Sequence, residues 1–204
     1  MSDYSASSSP ASRTWFRWAA FAMMVGGAAM FVLQAGVLFA SSQSGYFGVV
    51  APAIGVAQIL IAFGCVGLWS DHAFGGGILA RTGLALAILG LVFLAIGNLL
   101  TPFGDLAVFY MVATVALPVG FLLAGVAALR GHAWHGWERY VPLGVGLLPF
   151  VLLFAYLGGS RLGEFAVGVW GLAFVVLGWA ELREPPLEPL PLRARVSTRR
   201  RRNR

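Results

Sequence analysis

Lysine is absent from this chain, cysteine occurs once, and only 11% of its 204 residues are charged. A soluble domain carries roughly a quarter charged residues, because a water-facing surface needs them. That shortage excludes a soluble domain of this size, since there is too little polar surface to cover one. The single thiol, Cys65, lies inside an apolar run, so there is no intramolecular disulfide, and cysteine usage says nothing about redox compartment. Catalytic motifs are missing as well: no nucleophile elbow, no glycine-rich phosphate loop, no HExxH and no CxxC. The expectation is a protein that is not an enzyme and carries no cofactor. All fourteen strongly basic side chains are arginine. With Ala, Gly, Val and Leu also dominant, the composition reads as GC-rich coding and hence as bacterial.

What the chain does have is apolar length: 59% of it is hydrophobic. A bilayer core of about 30 Å needs about 20 apolar residues in a helix. Six stretches approach or exceed that length: Trp15 to Ala40, Val49 to Trp69, Leu79 to Leu100, Leu106 to Leu129, Val141 to Leu157 and Phe165 to Leu182. Pro52 is expected in the first turn of the second, where its missing N–H does little harm. Turn-forming segments separate them, among them Ser41 to Gly45, Gly75 to Gly77, Thr101 to Asp105, Gly131 to Gly136 and Gly158 to Ser160. Backbone polar groups in lipid must be satisfied within the segment, so the runs read as helices. The expected fold is an all-α membrane protein, an antiparallel bundle of six transmembrane helices over residues 15–182.

Orientation follows from arginine. Arg13 and Arg17 precede the first helix, Arg81 follows the second, Arg130 and Arg139 follow the fourth, and eight more follow the sixth. Six crossings put all of these on one side and leave Arg161, with Asp105 and Glu164, on the other. Five or seven would scatter them. The positive-inside rule then predicts both termini in the cytoplasm of a bacterium, with the chain in its plasma membrane. Residues 1–14 read as a Ser-rich, disordered cytoplasmic tail. The first helix also resembles a signal sequence cut after Ala40, but the run is long for that role and Leu38 is a poor residue three back from the cut.

Glycine is abundant, at 27 residues. In membrane helices small residues let backbones approach closely. Gly90 and Gly97 are seven apart, as are Gly171 and Gly178, while Gly120 and Ala124 form a small-xxx-small pair. These spacings predict packing faces. Pro118 and Pro149 lie inside the fourth and fifth helices, where each removes a backbone bond and can kink the helix. Any cavity is expected beside them. Polar residues within the apolar runs are few: Gln34, Gln58, Asn98 and Thr114, with Glu181 at the end of the sixth. Interhelical hydrogen bonding is their expected role. Gln58, Asn98, Pro118 and Pro149 are the candidate ligand or cavity residues. No charge sits at a helix centre, which counts against ion-coupled transport.

His72-Ala73-Phe74 recurs as His132-Ala133-Trp134, with Gly76 and Gly136 two residues further on. Three matched residues fit a loop preference at the interface better than a true repeat. The loop from His132 to Glu138 is also the one constellation with metal-ligand character. His132 and His135, three apart, share a face if helical, and Glu138 supplies an oxygen. Gly131 and Gly136 argue against a rigid helix there. The favoured reading is an interfacial loop with Trp134, Trp137 and Tyr140 at headgroup level and no metal.

Residues 183–204 form a separate Pro/Arg-rich cytoplasmic tail. Pro185, Pro186, Pro189 and Pro191 read as an extended spacer. Arg193, Arg195, Arg199, Arg200, Arg201, Arg202 and Arg204 then supply the chain's excess positive charge. Anionic lipid headgroups are the first expected partner, an acidic membrane-protein partner the second, and nucleic acid the last. Ser197 and Thr198 lie among the arginines, where phosphorylation would weaken a lipid contact.

Leu117-Pro118-Val119-Gly120 continuing through Gly125 to Leu129-Arg130, then Trp137-Glu138-Arg139, and the closing Gly171-Leu172-Ala173 and Leu177-Gly178, resemble small six-helix bacterial integral membrane proteins of unknown function. The resemblance covers the second half of the chain and implies fold and topology, with no activity to carry over. Six helices in about 200 residues also look like the substrate-binding subunits of energy-coupling-factor vitamin transporters. Three functions follow in order: a noncatalytic accessory or interaction subunit of the cell envelope, a small-molecule transport component, and a membrane enzyme.

Overall fold

The computed structural model describes residues 10–104, 107–131, 134–156 and 161–183, with side chains over 14–152 and 161–183 of those ranges. Among the described residues there are six α-helices and no strand: α1 (Pro10–Ala35), α2 (Gln43–Ser70), α3 (Ile78–Leu100), α4 (Ala107–Gly131), α5 (Val141–Tyr156) and α6 (Arg161–Arg183). Short 3-10 turns extend α1 through Gly36–Phe39 and α3 through Thr101–Phe103, and a third, Glu138–Tyr140, leads into α5. Five segments are long and apolar enough to cross a membrane: Thr14–Phe39, Gln43–Ser70, Ile78–Phe103, Ala107–Gly131 and Arg161–Arg183. The sixteen residues of α5 extend only about 24 Å at a helical rise of about 1.5 Å per residue.

Three boundaries differ from the sequence expectation. α1 begins at Pro10, so residues 10–14, expected to be disordered, are helical. α2 begins at Gln43, because the Ser42 side chain accepts from Gly45 N–H at 3.3 Å and caps the new helix. Pro52 therefore lies well inside α2, not in its first turn. α6 begins at Arg161, ahead of the apolar run from Phe165. At the end of α2, Ala73 N–H donates to Leu68 O at 3.1 Å and His72 N–H to Trp69 O at 3.1 Å. That is a Schellman ending. His72 occupies its left-handed position, at φ 53°, where glycine is usual. The Gly75–Gly77 run then completes the reversal into α3.

Each helix packs along its neighbour in sequence, and α1 packs along α6, so the six close into a ring. Glycine permits the closest contacts. A Cβ on Gly27 of α1 would meet Gly171 O of α6 at 2.5 Å, and one on Gly171 would meet Gly27 O at 2.6 Å. The α3–α4 contact works the same way, with Gly83 against Gly120 O at 2.7 Å and Gly120 against Ala87 N at 2.5 Å. Apolar side chains cluster inside the ring. Met23, Ile61, Leu91, Leu117, Phe121, Phe174 and Leu177 are all fully buried there. Phe121 of α4 meets Phe174 of α6 edge to face, centroids 5.6 Å apart, joining inside the ring the two helices that flank α5.

Candidate functional site

Two polar regions and one pair of prolines carry the residues that the sequence singles out. The first region crosses α2, α3 and α4. Asn98 Nδ2 donates to Gln58 Oε1 at 3.0 Å and to Leu94 O of its own helix at 3.0 Å. Its Oδ1 accepts from Tyr110 OH at 3.2 Å, and Tyr110 OH lies 3.1 Å from Thr101 Oγ1, which also bonds Gly97 O at 2.8 Å. Two separate candidates, Gln58 and Asn98, are thus brought together, with Tyr110 and Thr101 completing a chain that sequence reasoning did not anticipate. The available signal was position: Thr101 and Tyr110 bracket the α3–α4 turn, one helical turn beyond Asn98. Thr114, expected to bond between helices, bonds within its own helix, to Tyr110 O at 2.7 Å, and to no other helix among the described residues. Gln34 is buried against α6, and its Oε1 has no hydrogen-bond partner among the described residues.

The prolines are accommodated by packing. Pro118 is buried within the α3–α4 seam, between Leu117, which closes on Gly90, and Gly120, which closes on Gly83. Pro149 removes the N–H that would have bonded Val145 O. Trp170 of α6 supplies the replacement, its Nε1 donating to that carbonyl at 2.9 Å in a fully buried bond.

The second region lies where the α2–α3 turn, the α4–α5 turn and the end of α6 meet. Phe74 and Trp134, the aromatic members of the two matched tripeptides, are both buried and pack edge to face with centroids 5.0 Å apart. His72 is held between Ser70 O, 3.2 Å from Nδ1, and Arg81 Nη2, 3.4 Å from Nε2. Burial pushes the carboxyl of Asp71 above its usual range, and the neighbouring His72 opposes the shift. Glu181 lies against Gly67, and neither of its buried carboxylate oxygens has a hydrogen-bond partner among the described residues. Trp137 and Trp179 are 5.5 Å apart, and Arg183 lies 3.6 Å from Glu138.

Among the metal candidates, His132 lies outside the described residues, His135 is exposed, and Glu138 is directed to Arg183. No group of three or more His, Cys, Asp or Glu side chains among the described residues is arranged to hold a metal ion. The tail arginines, Arg193 to Arg204, also lie outside the described residues, as does Asp105.

A helical fold with five apolar segments of crossing length defines the class: a multi-pass membrane protein. Comparisons with protein-family models, with curated proteins and with solved structures returned no match.

Proposed function

We propose that this is a six-span bacterial plasma-membrane protein, antiparallel, with both termini cytoplasmic, acting as a noncatalytic accessory or interaction subunit. The observation that carries the reading is the apolar core of the helix ring, where Phe121 and Phe174 meet among fully buried apolar side chains. A dense apolar interior suits a scaffold, because a solute path needs polar lining or a water-filled cavity. The Gln58–Asn98–Tyr110 chain supports it too, since its hydrogen bonds join helices to one another. Arginine distribution supports the orientation. The fifth span is the short α5, whose length invites a thinned bilayer or a partner at that edge.

Purification from the native host in mild detergent, followed by native mass spectrometry, tests the reading. The expected result is a stoichiometric complex with another membrane protein, which dissociates when Arg193, Arg195, Arg199, Arg200, Arg201, Arg202 and Arg204 are replaced by glutamine. A lone chain carrying a stoichiometric small molecule contradicts it.

Glu181 favours a second reading, a small-molecule transport component. A carboxyl closed off at the end of a membrane helix without a donor among the described residues is costly, and such groups often mark function. If Glu181→Gln abolishes uptake of a solute that the wild-type protein supports, transport replaces the scaffold reading.

A further inference from the structure

We propose that the corner formed by the end of α6 and the turn Trp137–Tyr140 binds the headgroup of an anionic phospholipid. Two arginines meet this corner, each held over an aromatic ring. The Arg183 guanidinium carbon lies 4.4 Å from the Trp179 ring centroid, and that of Arg139 lies 4.7 Å from the Tyr140 centroid. Arg139 Nη2 also donates to Tyr140 OH at 2.6 Å. Trp137 and Trp179 join the turn to α6, with centroids 5.5 Å apart. Glu138, 3.6 Å from Arg183, is largely covered while the Arg183 side chain is 53% exposed, so the charge that this pair presents outward is positive.

The surroundings select a lipid. Trp137, Tyr140 and Trp179 are 44%, 49% and 41% exposed. Below them the exposed Leu172 and Val176 of α6 and Leu147 of α5 continue as an apolar band. Amphipathic rings above an apolar band suit the headgroup level of a bilayer. The exposed Arg183 guanidinium presents N–H donors that fit phosphate oxygens, and Arg139, whose Nη2 is bonded to Tyr140 OH, adds positive charge beside it. Six of the chain's seven tryptophans, Trp15, Trp18, Trp69, Trp134, Trp137 and Trp179, lie in or beside the segments that meet at this end, and Trp170 alone lies deeper. An outward-facing positive charge takes an anionic headgroup over a zwitterionic one. This site is separate from the arginine tail. It rests on α5 and α6 being membrane spans, a point that topology mapping measures independently, so failed lipid binding leaves the six-span reading standing.

The test uses the full-length protein in mild detergent, with phosphatidylglycerol and phosphatidylcholine of identical acyl chains. Native mass spectrometry reads the lipid retained at increasing collision energy. The wild-type protein should retain phosphatidylglycerol preferentially. Arg139→Gln with Arg183→Gln should weaken that retention by roughly fivefold per charge removed. Arg139→Lys with Arg183→Lys, which keeps the charge, should retain most of it and shows that the corner still folds. Replacing the seven tail arginines with glutamine should leave the retained lipid in place. Equal retention of the two lipids by the wild-type protein overturns the proposal. So does phosphatidylglycerol retention that survives the paired glutamine substitution and disappears with the tail substitution.

Discussion

The indole N–H of Trp170 on α6 donates to Val145 O on α5 at 2.9 Å, the carbonyl that Pro149 deprives of its helical donor. One helix supplies what a proline in the next has removed, so the α5–α6 contact is specified by a polar bond inside an apolar interface. Trp170→Phe should cost about 1–3 kcal/mol, the penalty for stranding a buried acceptor. Pro149→Ala restores a backbone N–H to Val145 O, so the same Trp170→Phe change in that background should cost markedly less. Thermal unfolding of the four proteins in one detergent gives the cycle. Equal costs in both backgrounds would mean that the indole contributes by packing alone.

The α1–α6 crossing depends on Gly27 and Gly171, each of which would drive a Cβ to within 2.6 Å of the other's carbonyl oxygen or closer. Gly27→Leu or Gly171→Leu should therefore destabilise the protein by about 1–3 kcal/mol or more, through overpacking against rigid backbone. Gly144→Ala on α5, where a Cβ meets nothing within 4 Å, is the matched control and should be tolerated. Melting temperatures of the purified variants separate the cases. A stable Gly171→Leu would show that this crossing is looser than described.

The helices were legible in the sequence because membrane solvation allows few alternatives to a long apolar run. Their ends were less so. α2 starts at Gln43 because of the Ser42 cap, a local polar signal ahead of an apolar run that a hydropathy reading begins at Val49. Gly171 and Gly178 were readable as one face, but their partners were not. That Gly27 and Ala20 lie opposite is a property of ring closure between the first and last helices. Gln58 and Asn98 were singled out as polar residues in apolar runs. Their direct bond depends on how α3 returns along α2, and the addition of Tyr110 on how α4 returns along α3, information that no single segment contains. The compensation of Pro149 by Trp170 was half legible: the proline identifies Val145 as the orphaned carbonyl, and only the fold identifies the donor.

Asp71 caps α2, with its carboxyl pushed above its usual value of 3.8 by burial. Its proton is therefore held more tightly in the folded state than in the unfolded one. Folding stability falls as pH rises from about the unfolded value through the folded one, and the cost is fully present above both. Asp71→Asn removes the charge, so at neutral pH the variant should melt higher than the wild-type protein. The difference should shrink as pH is lowered toward 3.8. A pH-independent difference in melting temperature would assign the effect to capping geometry instead.

The proposed topology has six crossings with the arginine-rich end in the cytoplasm, and α5 is the helix on which the count turns. Single cysteines placed in a Cys65→Ser background, at Ser42, Gly76, Gly104, Gly136 and Ser197, can be tested with a membrane-impermeant maleimide in intact and permeabilised cells. Six crossings predict labelling of Ser42→Cys and Gly104→Cys from outside, with Gly76→Cys, Gly136→Cys and Ser197→Cys reached only after permeabilisation. Labelling of Ser197→Cys in intact cells, with Gly136→Cys still protected, would mean that α5 does not cross and would contradict the account.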